Sequence, residues 1–324
     1  MTIKSRLATT AMVALVGAWA AGSAMAANIF VIGGKPDDPF WSIVKRGAED
    51  AGMVAEAQGG SVTWLGPQNY DNLGVDAAEL IRQAIDQGAD AIVGPDWVPE
   101  AMDPAFQAVV AKNIPLVIYN AGGLAAADRL GAMNYVGSDD RKAGAAGGEH
   151  LAKLGNTKGV CVNTLPGAAN VEQFCAGFVE GITAAGGEGS VLPLPATSFG
   201  SATAVAQAVR AHLLQHPEIT AIFAVGDGDS VSALSGIQQA GKTGKVAVCG
   251  INFNETVLNA IKDGTMACAV DQQGYLQGYL AVSILNARVN HGLSVPTREI
   301  LTGPGIIDSS NVDATIAGVK AGTR

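Results

Sequence analysis

Asn28-Ile-Phe-Val-Ile-Gly-Gly-Lys-Pro-Asp-Asp-Pro-Phe-Trp41 holds a strand, a turn and the start of a helix in one short stretch. Ile29 to Ile32 is apolar, short and β-branched, the pattern of a strand buried on both faces of a parallel sheet. Gly33 and Gly34 let the backbone turn, and Pro36 and Pro39 stiffen the loop that follows. Asp38 stands where it can cap a helix opening at Phe40, whose apolar positions Ile43, Val44, Ala48 and Ala51 recur at helical spacing. The loop thus sets Lys35, Asp37 and Asp38 beside two aromatics, beyond the carboxyl end of a strand. In an open α/β sheet that is where ligands bind. A plain βα loop with a capping acid and two core aromatics would use the same residues.

The unit recurs. A strand over 61–65 ends in Gly66-Pro-Gln-Asn69, and a helix over 75–87 is stopped by Gly88. A strand over 90–94 ends in Pro95-Asp96-Trp97; after a helix over 100–112, a strand over 114–119 ends in Asn120. The pattern starts afresh at 134–138, with a helix over 141–154 and a strand over 159–163 ending in Asn163. A Gly- and Ala-rich loop at 165–170 leads to a helix through Phe178, and a strand over 190–194 leads to Phe199. A helix over 203–215 and a strand over 219–225 run into Gly226-Asp-Gly-Asp229. Strands over 246–252 and 265–270, a helix over 274–290, a strand near Ile300 and a helix from Asn311 complete the chain. Strict alternation predicts parallel sheets with helices on both faces. Each half sets an acid at one strand end, Asp96 or Asp227, and an asparagine at the next, Asn120 or Asn252. Two Rossmann-like lobes facing each other would leave a cleft, the usual place for a small molecule.

Ahead of all this, Lys4 and Arg6 precede an apolar run over 7–21 and the small-residue sequence Ala24-Met25-Ala26. That is a cleavable export signal, too short for a membrane span, and it predicts a periplasmic protein starting at Ala27. The remainder is long enough for two cores. A net charge of −9 and the lack of any basic stripe argue against nucleic acid or an anionic membrane as partner. Cys161, Cys175, Cys249 and Cys268 make an even count, which in an oxidising compartment predicts two disulfides, with buried free thiols as the other reading. Spacing alone leaves connectivity open; Cys161 with Cys175 and Cys249 with Cys268 are the expected pairs because each belongs to neighbouring elements.

No reactive constellation is present. The chain has no G-x-S-x-G elbow, no P-loop and no H-E-x-x-H, and Gly33-Gly34 lacks the other glycines of a dinucleotide fingerprint. His150, His212, His216 and His291 fall in or at the ends of helices, as surface or cap residues. Asp227-Gly-Asp229 lacks the later ligands of a calcium loop. The expectation is a protein without catalysis, cofactor or metal. What remains is a set of strand-end residues: Asp38, Phe40, Trp41, Asp96, Trp97, Asn120, Asn163, Asn170, Phe199, Asp227, Asn252 and Gln272, with Lys35 beside them. Carboxylates and amides bond hydroxyls in fixed directions. Aromatic faces cover the C–H patches of a sugar ring and also favour a cation.

Lys-Pro-Asp-Asp-Pro-Phe-Trp at 35–41, Ala-Ile-Val-Gly-Pro-Asp-Trp at 91–97 and Pro-Leu-Val-Ile-Tyr-Asn at 115–120 form a series with Arg-Lys-Ala-Gly at 141–144 and Cys-Ala-Gly-Phe at 175–178. Ala-Ile-Phe-Ala-Val-Gly-Asp at 221–227 and Ala-Val-Asp-Gln-Gln at 269–273 continue it. Together they resemble the periplasmic sugar-binding proteins of ABC transporters, and more narrowly the ribose-binding-like type I group, over essentially the whole mature chain. The resemblance implies two Rossmann-like α/β lobes with parallel sheets, joined by crossings near Ser138, Gln272 and Leu301. The first lobe would be 27–138 plus 273–301, and the second 139–272 plus 302–324. It also implies a monomer that closes on a sugar like a hinge and docks on a membrane permease.

Carried over by position, the loop aromatics match Phe40 and Trp41, and the residue before the family's Pro-Phe, an asparagine there, matches Asp38. Two strand-end carboxylates match Asn120 and Asn252, the later loop aromatic matches Phe199, and the hinge glutamine matches Gln272. Two sugar-gripping arginines of the ribose pattern appear here as Ala121 and Phe174, and two strand-end asparagines as Gly94 and Gly226. Asp38, Asp96 and Asp227 without those arginines leave a partly acidic cleft. A neutral polyol or a sugar other than ribose is therefore expected, with an amino sugar or inosamine as the charged variant. A sugar-like autoinducer or a chemoreceptor ligand is the alternative; the export signal and missing helix-turn-helix count against a repressor core.

Overall fold

Short β-branched runs separated by amphipathic helices condense into two six-stranded sheets in the computed structural model, which describes residues 26–321 and Arg324. The export signal expected over 1–25 lies outside the described residues. The first sheet takes β1 (Asn28–Ile32), β2 (Ser61–Leu65), β3 (Ala91–Gly94), β4 (Leu116–Tyr119) and β5 (Asn134–Ser138). The second takes β6 (Lys158–Asn163), β7 (Glu188–Pro193), β8 (Ala221–Ala224), β9 (Ala247–Ile251) and β10 (Cys268–Asp271). The chain then returns β11 (Glu299–Gly303) to the first sheet and β12 (Gly305–Ile307) to the second. The helices are α1 (Pro39–Ala57), α2 (Leu73–Asp86), α3 (Pro99–Ala111), α4 (Gly123–Leu130), α5 (Asp140–Lys153) and α6 (Ala169–Ala184). They continue as α7 (Ala202–Gln215), α8 (Asp227–Gln239), α9 (Glu255–Lys262), α10 (Gly274–His291) and α11 (Val312–Lys320).

The strand orders are the same in both lobes: β2-β1-β3-β4-β5-β11 and β7-β6-β8-β9-β10-β12. Neighbours pair in parallel except β12, which runs antiparallel to β10. The order reverses between β1 and β3, and again between β6 and β8. Loops leave in opposite directions at such a reversal and open a crevice at the carboxyl ends of the strands. The chain passes between sheets after β5, after β10 and between β11 and β12. The last passage lies just beyond the expected Leu301, because β11 stays paired with β5 through Gly303.

Packing explains several glycines of the repeated motifs. A Cβ on Gly177 would overlap the carbonyl oxygen of Arg141, and one on Gly278 that of Val44, so α6 meets α5 and α10 meets α1 backbone to backbone. Cys161 on β6 bonds Cys175 on α6, with Cα atoms 5.4 Å apart. Cys249 and Cys268 are register neighbours on β9 and β10, their Cα atoms 4.6 Å apart and bridged.

Three elements lie outside the sequence expectation: α4, α9 and β12. The eight residues of α4 are bounded by Gly122 at φ 97° and Gly131 at φ 70°, and bury Ala126, Ala127 and Leu130. The three residues of β12 owe their conformation to pairing with β10.

Replacing Gly177 by alanine should lower stability to urea by about 1–3 kcal/mol, because backbone rather than a side-chain tip must move. Reduction should lower it by roughly 2–4 kcal/mol for each disulfide, read from unfolding curves with and without thiol.

Candidate functional site

The two crevices face each other and enclose a cavity of about 530 Å³. Loops after β1 to β4 bring Asp38, Phe40, Trp41, Tyr70, Trp97 and Asn120 to one wall. Loops after β6 to β10 bring Asn170, Phe199, Asp227, Asp229, Asn252, Asn254 and Gln272 to the other. Several are the first residues of helices, placed there because each strand turns directly into the helix that covers its sheet.

Asp38 is the N-cap of α1: its Oδ1 accepts from the amides of Phe40 (3.0 Å) and Trp41 (3.2 Å). Its Oδ2 accepts from the Tyr70 hydroxyl at 3.2 Å, and that hydroxyl accepts from the Lys35 amide at 3.1 Å. Burial pushes the Asp38 carboxyl above its ordinary value; the Trp41 amide opposes this, and the Asp227 charge across the cavity adds to it. Burial also lifts the Tyr70 phenol far above its ordinary value.

The aromatics are at once core and wall. Trp41, 7% exposed, meets Trp97 edge to face at 5.4 Å and Phe40 at 5.2 Å, while all three line the cavity. Phe199 meets Tyr70 edge to face at 5.1 Å, a contact between lobes. A second contact between lobes is the Ala169 amide bonded to the Trp97 carbonyl at 3.0 Å.

At the base, Asn120 and Asn252 occupy equivalent positions after β4 and β9, both left-handed, at φ 60° and 62°. Asparagine tolerates that conformation better than most residues. Asn120 Nδ2 donates to Gln277 Oε1, Gln277 Nε2 to the Gln272 carbonyl, and Gln272 Nε2 to Asn252 Oδ1, each at 3.1 Å. Gln272 Oε1 and Asn170 Oδ1 are buried without a hydrogen-bond partner.

In the second lobe, Asp227 Oδ2 accepts from Asn254 Nδ2 at 2.8 Å. Asp229 Oδ2 accepts from the Thr164 hydroxyl at 2.8 Å. Burial pushes Asp229 up to about 6, against the Thr164 bond and with the Asp227 charge adding. Lys35, the one basic side chain among the described lining residues, lies 3.5 Å from Asp37.

Asp96 does not join this group. It is fully buried outside the cavity, with Oδ2 2.5 Å from Arg129 on α4, which also bonds Asp103 at 2.9 Å. Burial, then the Asp103 charge, pushes Asp96 up to about 6, with Arg129 opposing. Asn163 likewise serves its own loop, bonding Glu172 and the Leu165 amide at 3.0 Å each. Tyr70, Asn254 and Asp229 also line the cavity and lie outside the sequence expectation, although all three follow strand ends. Of the positions that differ from the ribose pattern, Phe174 and Gly226 line the wall, while Ala121 and Gly94 are buried outside it.

Two α/β lobes around a polar, aromatic cavity at facing strand ends have the form of a solute-binding protein. The family model described as periplasmic binding protein domain matches residues 29–293, and the chain belongs to that family. The chain is 29% identical to the D-ribose/D-allose-binding protein of Pseudomonas aeruginosa over 60% of its own length and 61% of that protein's, so the match spans about three fifths of that relative. It is 28% identical to the ribose import binding protein of Bacillus subtilis over 80% of each chain. The structure of a carbohydrate transporter from Acidothermus cellulolyticus, in complex with myo-inositol, is similar at a TM-score of 0.82 and 28% identity, covering 92% of this chain and 99% of that one.

Because Asp229 is raised to about 6 in the fold, the folded protein keeps a proton between about pH 4 and 6 that the unfolded chain has released. Its contribution to stability is therefore present in acid and lost as pH rises through that window. Asp229→Asn should gain on the unsubstituted protein by about 1–3 kcal/mol between pH 4 and 7, measured by urea unfolding without ligand.

Proposed function

We propose that the cavity captures a sugar, polyol or amino sugar between the lobes, and that the loaded protein delivers it to the membrane permease of an ABC transporter. The observation that carries this reading is the pairing of aromatic faces with directional acceptors on both walls. Phe40, Trp41, Trp97 and Phe199 offer apolar faces, while Asp38, Asp227, Asn170 and Gln272 offer oxygens to hydroxyl donors. A polyhydroxylated ring presents both surfaces, and its hydroxyls would satisfy the buried oxygens of Asn170 and Gln272. Phe174 and Ala121, where the ribose pattern has arginines, favour a ring other than ribose. The sugar-binding relatives and the myo-inositol complex support the same ligand class.

The reading places the protein in the periplasm as a monomer, cleaved after Ala26. Its lobes are 27–138 with 273–303, and 139–272 with 304–324, the third boundary following the sheet membership of β11 and β12. Asp38, Phe40, Trp41, Trp97, Asn120, Asn170, Phe199, Asp227, Asn252 and Gln272 bind the ligand, and Lys35 lies at the lip.

A thermal-shift screen of pentoses, hexoses, cyclitols, linear polyols and amino sugars tests it. A true ligand at roughly 100 times its Kd should raise the melting temperature by about 5 °C. Asp38→Ala and Trp41→Ala should each abolish that rise, the latter also lowering the ligand-free melting point. An unchanged rise in both variants would remove the loop after β1 from the site. Ribose or a sugar acid as the tightest ligand in calorimetry would overturn the ligand class.

A further inference from the structure

The cavity wall carries five carboxylates, Asp37, Asp38, Asp71, Asp227 and Asp229, against the single basic side chain of Lys35, which is already beside Asp37. The three deepest come from both lobes: Asp38 from the start of α1, Asp227 and Asp229 from the start of α8. The charge of Asp227 bears on both of the others, adding to the upward push that burial gives each. The contacts between Tyr70 and Phe199 and between Ala169 and Trp97 hold these like charges in one enclosed space.

A second observation points to an occupant. Gln272, 3% exposed, lines the cavity with an Oε1 that accepts no hydrogen bond. An amide oxygen and three carboxylates call for donors and positive charge together. The hydroxyls of a neutral ring supply donors but leave the repulsion in place. A protonated amine supplies up to three donors and a charge, and it is also attracted to the faces of Phe40, Trp41 and Trp97. Among the described residues no group of three or more His, Cys, Asp and Glu side chains is placed to hold a metal ion, so an organic cation is the better fit.

We infer that the cavity selects a solute carrying a protonated amine on a polyhydroxylated frame, its ammonium held between Asp38 of one lobe and Asp227 and Asp229 of the other. This rests on the reading of the cavity as a polyol site and narrows it. The amine links the two lobes, so closure and charge neutralisation occur in the same step.

Matched ligands separate the inference from the reading beneath it. Calorimetry at neutral pH compares myo-inositol with an amino-deoxyinositol, glucose with glucosamine and galactose with galactosamine, together with the N-acetyl form of each amine. At least one amine should bind about tenfold or more tightly than both its hydroxyl parent and its uncharged N-acetyl form. That advantage should shrink several-fold as salt rises from about 50 to about 500 mM. In Asp227→Asn, shown to be folded by its melting curve, the amine-to-parent ratio should fall toward one. Parents binding as tightly as the amines in every pair, or a ratio unmoved by Asp227→Asn, would overturn the amine inference and leave the polyol site standing. If neither parents nor amines bound, the polyol reading would fall and the inference with it.

Discussion

The hydrogen-bonded series Asn120–Gln277–Gln272–Asn252 ties the two lobes together through the hinge. Its ends are the equivalent asparagines that close the fourth strand in the topology of each sheet, and its middle is the segment where β10 gives way to α10. The Thr302 hydroxyl joins at the Gln272 carbonyl with a 2.8 Å bond, so the second and third passages between the lobes share one acceptor. Gln277 is completely buried, and breaking any one bond of the series would leave a buried polar group unpaired. Toward the mouth the lobes meet at the Tyr70–Phe199 ring contact, at the Ala169–Trp97 backbone bond and where Leu165 packs against the first core.

On that base stands an arrangement of opposing electrostatic terms. Helices that begin at strand ends point their amides into the cavity, and Asp38 uses two of them as a cap. Burial acts the other way and lifts Asp38 and Asp229 above ordinary carboxylate values. A site that is both acidic and desolvated favours the entry of hydrogen-bond donors or a cation. The aromatic wall serves the same end, because Trp41 and Trp97 pack into the core of the first lobe and still present surface to the cavity.

Much of this was legible along the chain because its signals are local. The apolar run 29–32, Gly33-Gly34 and Asp38 read correctly as strand, turn and cap, and the observed cap bonds are short-range. The echo between the halves also read correctly in the asparagines, which share a left-handed backbone. It failed for the acids. Asp96 resembles Asp227 in sequence, but Arg129 reaches it from α4, a helix outside the sequence expectation. An ion pair between residues 33 apart in the chain has no signature in either segment. Tyr70 was missed for the same reason: its hydroxyl meets Asp38 across 32 residues.

Most of the strands and helices, and the gathering of polar and aromatic residues at strand ends, were written in the chain, since periodicity, turn chemistry and capping act over a few residues; α4, α9, β12 and the closing of the two disulfides were not. Which of those residues share one cavity was settled by tertiary structure. The reversals of strand order between β1 and β3 and between β6 and β8 decide which loops face each other. The passages through Ser138, Gln272 and Pro304 then decide how the two crevices meet. Contacts of that kind join positions more than a hundred residues apart, as Asn120 and Gln277 show, and only the folded chain brings them within a hydrogen bond.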